Sequence, residues 1–253
     1  MDVYTLIITA VVVFLAAGIQ SAVGFAYGLF AIPMLVAFGV PLPESIVIVA
    51  SCSAVQSTIG AIRLRAVIPW RTAIGGVAVR LATVTAGIAV LKKIATLSVP
   101  DIKLFVGCVL CVLVIVQITG KIRPKERLHW IWTLLAFSTS GFLAGICGMG
   151  GPPVVFWLMA HNWSSLKTRG FLFAFFALSI PVQIFLLYLT FGENILNSVL
   201  TALFLLPAVY LGAKLGLPLG DRIPKHILRI LVYLILFGIG LSSIIPAIAM
   251  RLN

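Results

Sequence analysis

The sequence predicts an all-α polytopic membrane protein of two inverted five-segment repeats, each carrying a short interrupted helix pair. Three observations lead there. The 253 residues are 62% hydrophobic and only 9% charged, where a soluble domain carries about 25% charged residues. Charge-free windows run from Val3 to Pro43, from Gly170 to Gly192 and from Ile230 to Met250, and about 20 apolar residues suffice to cross the hydrocarbon core. Glycine- and proline-rich breaks then recur at matching places in the two halves of the chain. The apolar–polar alternation of a membrane β-barrel is missing from these windows.

Cuts at glycine, proline and charge clusters give ten segments, taken here in order. The N-terminus, Met-Asp-Val-Tyr, has no basic region and no small-residue cleavage site, and residues 3–21 read as a permanent span rather than a signal peptide. Residues 25–39 are short and follow a glycine break. The third segment, 44–62, opens on Glu44 and carries Ser51, Ser53, Gln56, Ser57 and Thr58. The fourth, 69–91, holds Arg80 near its middle, and the fifth, 101–119, holds Cys108 and Cys111. With no His or acidic neighbour these cysteines read as small buried hydrophobes. The sixth, 129–146, carries Ser138, Thr139 and Ser140, and the short seventh, 151–161, follows the second break. Segment 167–190 sets Ser179 and Gln183 around Pro181, and segments 195–215 and 225–249 complete the chain.

Loop charge supports ten segments. If each returns the chain to the opposite side, one side collects Arg63, Arg65, Arg71, Lys121, Arg123, Lys125, Arg127, Lys167, Arg169, Lys214, Arg222, Lys225 and Arg229. The other collects only Lys92, Lys93, Lys103 and Arg251. Merging each short segment into its predecessor divides the same charges almost evenly. The positive-inside rule therefore favours ten segments, with the basic side cytoplasmic and both termini outside. The net charge of +12 is then loop charge and not a nucleic-acid footprint. The organisation expected is a first repeat over 1–120, a basic cytoplasmic linker over 121–128 and a second repeat over 129–253. A shift of 124 residues lays Gly24 on Gly148, Pro100 on Pro224, and SAVGFAYGLFAIPML on GICGMGGPPVVFWLM. Five segments per half turn the second copy upside down, and short broken segments at matching places point to a secondary transporter's central site.

The breaks have a chemical purpose. Backbone left unpaired at membrane depth is tolerated only inside protein or along a wet cavity. A helix restarted there presents N–H groups and a positive dipole end, which bind anions. Gly148, Gly150 and Gly151 are expected to make the turn, with Pro152 and Pro153 in the first turn of the new helix, where a missing N–H is harmless. Gly24 and Gly28 are expected to act likewise around Phe25-Ala26-Tyr27. Arg80 is an ionisable group at membrane depth and a functional candidate on that ground, since a guanidinium matches a sulfonate or carboxylate in two places. Ser53, Gln56 and Ser57 share one helix face. The substrate-binding set expected is Gly24, Tyr27, Gly28, Ser53, Gln56, Arg80, Gly148, Gly150, Gly151 and Gln183, with no catalytic residue, no metal and no cofactor.

The two glycine motifs resemble those of the sulfite exporter TauE/SafE family of sulfur-anion exporters, as do Leu-Gly-Ala-Lys-Leu-Gly and Gly-Asp-Arg-Ile-Pro before the last segment. Ala26 and Tyr27 stand where that family often has glycine, which turns Tyr27 toward the substrate. The resemblance implies secondary export of sulfite, thiosulfate or organosulfonates such as sulfoacetate, by alternating access, across a bacterial inner membrane. An anion channel, or a transporter of small carboxylates, is the alternative. An enzyme is not expected, because His129, His161 and His226 all sit at segment ends. The partners expected are a small anion and the lipid bilayer, with proton or sodium coupling and a homodimer left open, and no nucleic acid.

Overall fold

The computed structural model describes residues 2–23, 26–120, 128–223 and 225–252. Gly24 and most of the 121–128 linker lie outside the described residues. Ten α-helices follow in order: α1 (Val3–Val23), α2 (Tyr27–Ala37), α3 (Leu42–Arg63), α4 (Trp70–Ile94), α5 (Val99–Thr119), α6 (Trp130–Cys147), α7 (Gly151–Met159), α8 (Ser165–Phe191), α9 (Glu193–Arg222) and α10 (Lys225–Leu252). No strand occurs among the described residues. Seven helices, α1, α3–α6, α8 and the first part of α9, are long and apolar enough to cross a membrane. The chain is a multi-pass, all-α membrane protein.

Each predicted segment is a helix, and the ends follow local chemistry. Pro41 precedes α3 and a proline stands in its first turn. Ser98 and Ser164 cap α5 and α8, accepting hydrogen bonds from the Asp101 and Lys167 amides, as N-cap serines do. The longest departure is α9, expected to stop at residue 215. It runs to Arg222 through Pro207 and Pro218, which a helix flanked by other helices tolerates.

Helix pairing follows small residues. The backbones of α4 and α6 touch at Gly87 and Gly145, where an added Cβ on either would strike the other helix. Gly212 and Gly216 on α9 pack in the same way on Phe14 and Gly18 of α1. Gly141–Gly145 and Gly212–Gly216 both have the small-xxx-small spacing that lets membrane helices approach closely. The most extensive pairs are α4 with α6, α1 with α9, α3 with α8, and α5 with α10. Exchanging the two halves of the chain turns this set into itself.

Two apolar cores result. The larger joins α1–α5, α9 and α10 and reaches α6 and α8. The smaller is aromatic: Phe137, Trp157, Phe171 and Phe175 pack between α6, α7 and α8 with ring centroids 4.9–6.2 Å apart. Cys111 is buried as expected, and Cys52 and Cys147 are buried too. Cys108 instead lies on the exposed side of α5, because residues three apart on a helix share an edge rather than a depth.

Candidate functional site

The two short helices bring the glycine breaks together. At 1.5 Å per residue, α2 is about 16 Å long and α7 about 14 Å, so neither crosses a bilayer alone. α7 folds back along α6 as a hairpin. The Ser140 hydroxyl donates to the Gly150 carbonyl at 2.6 Å, and seven residues further back Trp157 Nε1 donates to Thr133 Oγ1 at 2.9 Å. The hairpin turns at Gly148, whose φ of 70° is left-handed, the region glycine enters without strain. Gly150 is required for another reason: a Cβ there would meet the Ser140 carbonyl and the Ala144 side chain. Gly151 has nothing within 4 Å of an added Cβ, so its front is open space.

At the first break Gly28 does not make the turn expected of it, and Gly24, the other glycine expected there, lies outside the described residues. Ala26, at the N-cap of α2, carries the turn with φ 86° and ψ 0°. Gly28 instead sits inside α2, where an added Cβ would lie 3.2 Å from the Gly148 carbonyl. The two breaks therefore touch, Gly28 on one side and Gly148 on the other. The N–H groups at the start of α2 are those a helix cannot pair internally, and Tyr27, Gly28 and Leu29 all face the space between the breaks.

That space is a cavity of about 100 Å³. Tyr27, Gly28, Ser53, Arg80, Gly148, Gly150, Gly151 and Gln183 all line it. Gln56 does not. It lies one turn beyond Ser53, and its Oε1 is buried without a hydrogen-bond partner. Gln20 and Met149 also line the cavity, as do apolar side chains from α3, α7 and α8.

Arg80 dominates the electrostatics. It is only 3% exposed, which excludes snorkelling to the interface. Its Nη1 donates to Ser140 Oγ at 3.0 Å and its Nη2 to Gln183 Oε1 at 3.3 Å. Both partners are neutral, and both are held in turn: Ser140 by Gly150, and Gln183 by its Nε2 donating to the Ala144 carbonyl at 2.9 Å. The rings of Phe175 and Phe176 lie 5.2 and 5.3 Å from the guanidinium carbon. Cation–π contact offsets part of a buried charge, but a buried ion is normally paired with an opposite charge.

Two polar atoms on residues that line this cavity have no partner within the protein, Arg80 Nε and Gln20 Oε1, and the Tyr27 hydroxyl has only the weak Cys52 thiol beside it. Buried polar groups are nearly always hydrogen-bonded. Two of these are donors, and the Gln20 amide presents a donor after a half-turn. A compact species rich in acceptor atoms and negatively charged would answer all three and the guanidinium together. Ser140 is the residue that sequence reasoning passed over in favour of Ser53. Its signal was its place about two helical turns before the second break, where a hydroxyl can reach across the hairpin.

A family model described as Sulfite exporter TauE/SafE matches residues 9–243. No curated protein and no solved structure matches the chain.

Proposed function

The chain belongs to the sulfite exporter TauE/SafE family, and from that premise we propose that it is a secondary transporter that exports a small sulfur-containing anion. The substrate is sulfite, thiosulfate or a small organosulfonate such as sulfoacetate. It binds in the central cavity between the starts of α2 and α7, and access alternates between the two sides of a bacterial inner membrane. The single observation carrying this reading is Arg80, a buried cation whose hydrogen-bond partners are both neutral. A bound oxyanion supplies the missing charge, and its oxygens accept from Arg80 Nε, Tyr27 and backbone N–H groups. Ser140 and Gln183 hold the guanidinium in place. Ser53 and Gly151 complete the pocket, while Gln56 lies off it. The pairing of helices, preserved when the halves are exchanged, supports the two-repeat reading on which alternating access depends.

The test is thermal unfolding of the purified protein against an anion panel at fixed pH and ionic strength. A ligand at 100 times its dissociation constant adds about 2.7 kcal/mol to the state it binds. Sulfite, thiosulfate or sulfoacetate should stabilise the protein, phosphate should not, and Arg80→Ala should remove the response. Stabilisation by carboxylates alone overturns the sulfur assignment, and no response to any anion overturns the site.

A further inference from the structure

Pro152 and Val155 of α7 have cavities on two sides. One is the central cavity, and the other is a groove of about 300 Å³ between α5, α7 and α10. Its remaining walls are Gln117 and Ile118 on α5, and Ile230, Tyr233 and Leu234 on α10. It lies at the end of the molecule where α5 ends and α10 begins, beside the basic connections.

The equivalent place in the other half is filled. A shift of 124 residues carries Phe156 and Met159 onto Ile32 and Leu35, and Ile230 and Leu234 onto Val106 and Leu110. The four first-half residues are at most 1% exposed, whereas Met159, Ile230 and Leu234 are 40%, 48% and 64% exposed. α2 packs on both α5 and α10, but α7 packs on α6 and α8 and only grazes α5. Side-chain size does not explain the gap, because Phe156 and Met159 are no smaller than Ile32 and Leu35.

Gln117 puts an amide on the groove wall. Its Nε2 is shielded from solvent in this state and has no hydrogen-bond partner. An amide facing lipid tails is costly, so a wall that carries one suits water better than lipid.

We propose that this groove is the aqueous passage between the central cavity and the side of the basic connections, and that α7 is its gate. On closing, α7 docks against α5 and α10 as α2 already does on the opposite side. The structure is thus the state open toward the basic side, with the α2 side shut. The proposal rests on the transporter reading above.

The test uses the full chain with its four cysteines replaced and single cysteines introduced. Leu234→Cys faces the groove. Its neighbour Ile235→Cys is also exposed on α10 but does not line the groove. Thiols in water react with a charged, membrane-impermeant methanethiosulfonate, and thiols in lipid do not. Leu234→Cys should react at least tenfold faster than Ile235→Cys, and only from the side of the basic connections. Equal rates overturn the passage. In a second variant, Met159→Cys with Ile230→Cys, oxidation should join α7 to α10 and stop transport in proteoliposomes until a reductant is added. Transport that continues with the bridge formed, or failure of the bridge to form, overturns the gate. Gln117→Leu should slow transport at least threefold while leaving anion-dependent thermal stabilisation unchanged. An unaltered rate overturns the role given to Gln117. Selective labelling of Leu234→Cys without any anion response would sink the transporter reading and leave the passage standing. An anion response without selective labelling would do the reverse.

Discussion

Arg80 keeps its terminal nitrogens on Ser140 and Gln183 and its faces against Phe175 and Phe176, yet nothing among these contacts is negative. Replacing even a buried ion pair by apolar residues of similar size is often neutral, or stabilising by about 1–4 kcal/mol, and Arg80 is buried with no opposite charge among its hydrogen-bond partners. Arg80→Met should therefore unfold no earlier than the parent without anion, because Ser140 and Gln183 keep their bonds to Gly150 and Ala144. The same variant should lose all stabilisation by anions. Calorimetry with and without sulfite separates the two effects, and a large loss of stability in the absence of anion would mark Arg80 as a structural residue. Ala26 offers a test of the opposite kind. A non-glycine residue at φ 86° costs about 1–2 kcal/mol relative to a right-handed conformation. Ala26→Gly should raise the unfolding free energy by about 1 kcal/mol, measured by denaturant titration in detergent. Arg80 and Gln183 were legible in the sequence, because charge and amide groups stand out in oil. The hydrogen bond between Arg80 and Ser140 joins residues 60 positions apart, and no local pattern announces such a meeting. The turn at Ala26 was misread because two glycines stand close to it, and glycine is the residue expected where φ turns positive.

The α6–α7 hairpin places three glycines with three different duties, so their substitutions should differ. Gly151→Leu projects a side chain into open space at the cavity wall. It should leave the unfolding temperature nearly unchanged and abolish anion stabilisation. Gly150→Leu meets the Ser140 carbonyl and Ala144, and should fail to give folded protein by size-exclusion chromatography. Equal behaviour of the two variants would contradict the hairpin geometry. Trp157→Phe keeps an aromatic ring in the small core but drops the bond to Thr133, which is worth about 1 kcal/mol. Its unfolding free energy should fall by that amount. Apart from the end of α9, the helices themselves were legible to within about three residues, since charge-free runs broken by glycine and proline leave few ways to place their ends. The extension of α9 past residue 215 was not, because Gly216 and Pro218 read as a stop in isolation. In the fold, Gly216 is a contact surface against Gly18.

Across the whole molecule the site is unequally shared. The shift that relates the halves carries Arg80 onto Phe204, which is exposed on α9, and Ser140 back onto Ala16. The first half supplies the cation, and the second half supplies the groups that hold it. A two-fold packing plan therefore encloses a one-sided site. From loop charge we propose that both termini lie outside the cytoplasm. Epitope tags at residues 1 and 253 should then be accessible to antibody in right-side-out vesicles and not in inverted ones. The partner of each helix was not legible in the sequence, because apolar faces in a membrane carry no address. One buried side chain reports on all of this. Of the five tryptophans, Trp70, Trp130 and Trp132 are exposed, and Trp163 lies in the loop between α7 and α8. Trp157 alone is buried, on α7, with Phe137, Phe171 and His161 around its indole. Fluorescence of a variant retaining only this tryptophan is thus an optical gauge of where α7 stands, readable in real time as substrate is added and without any attached dye.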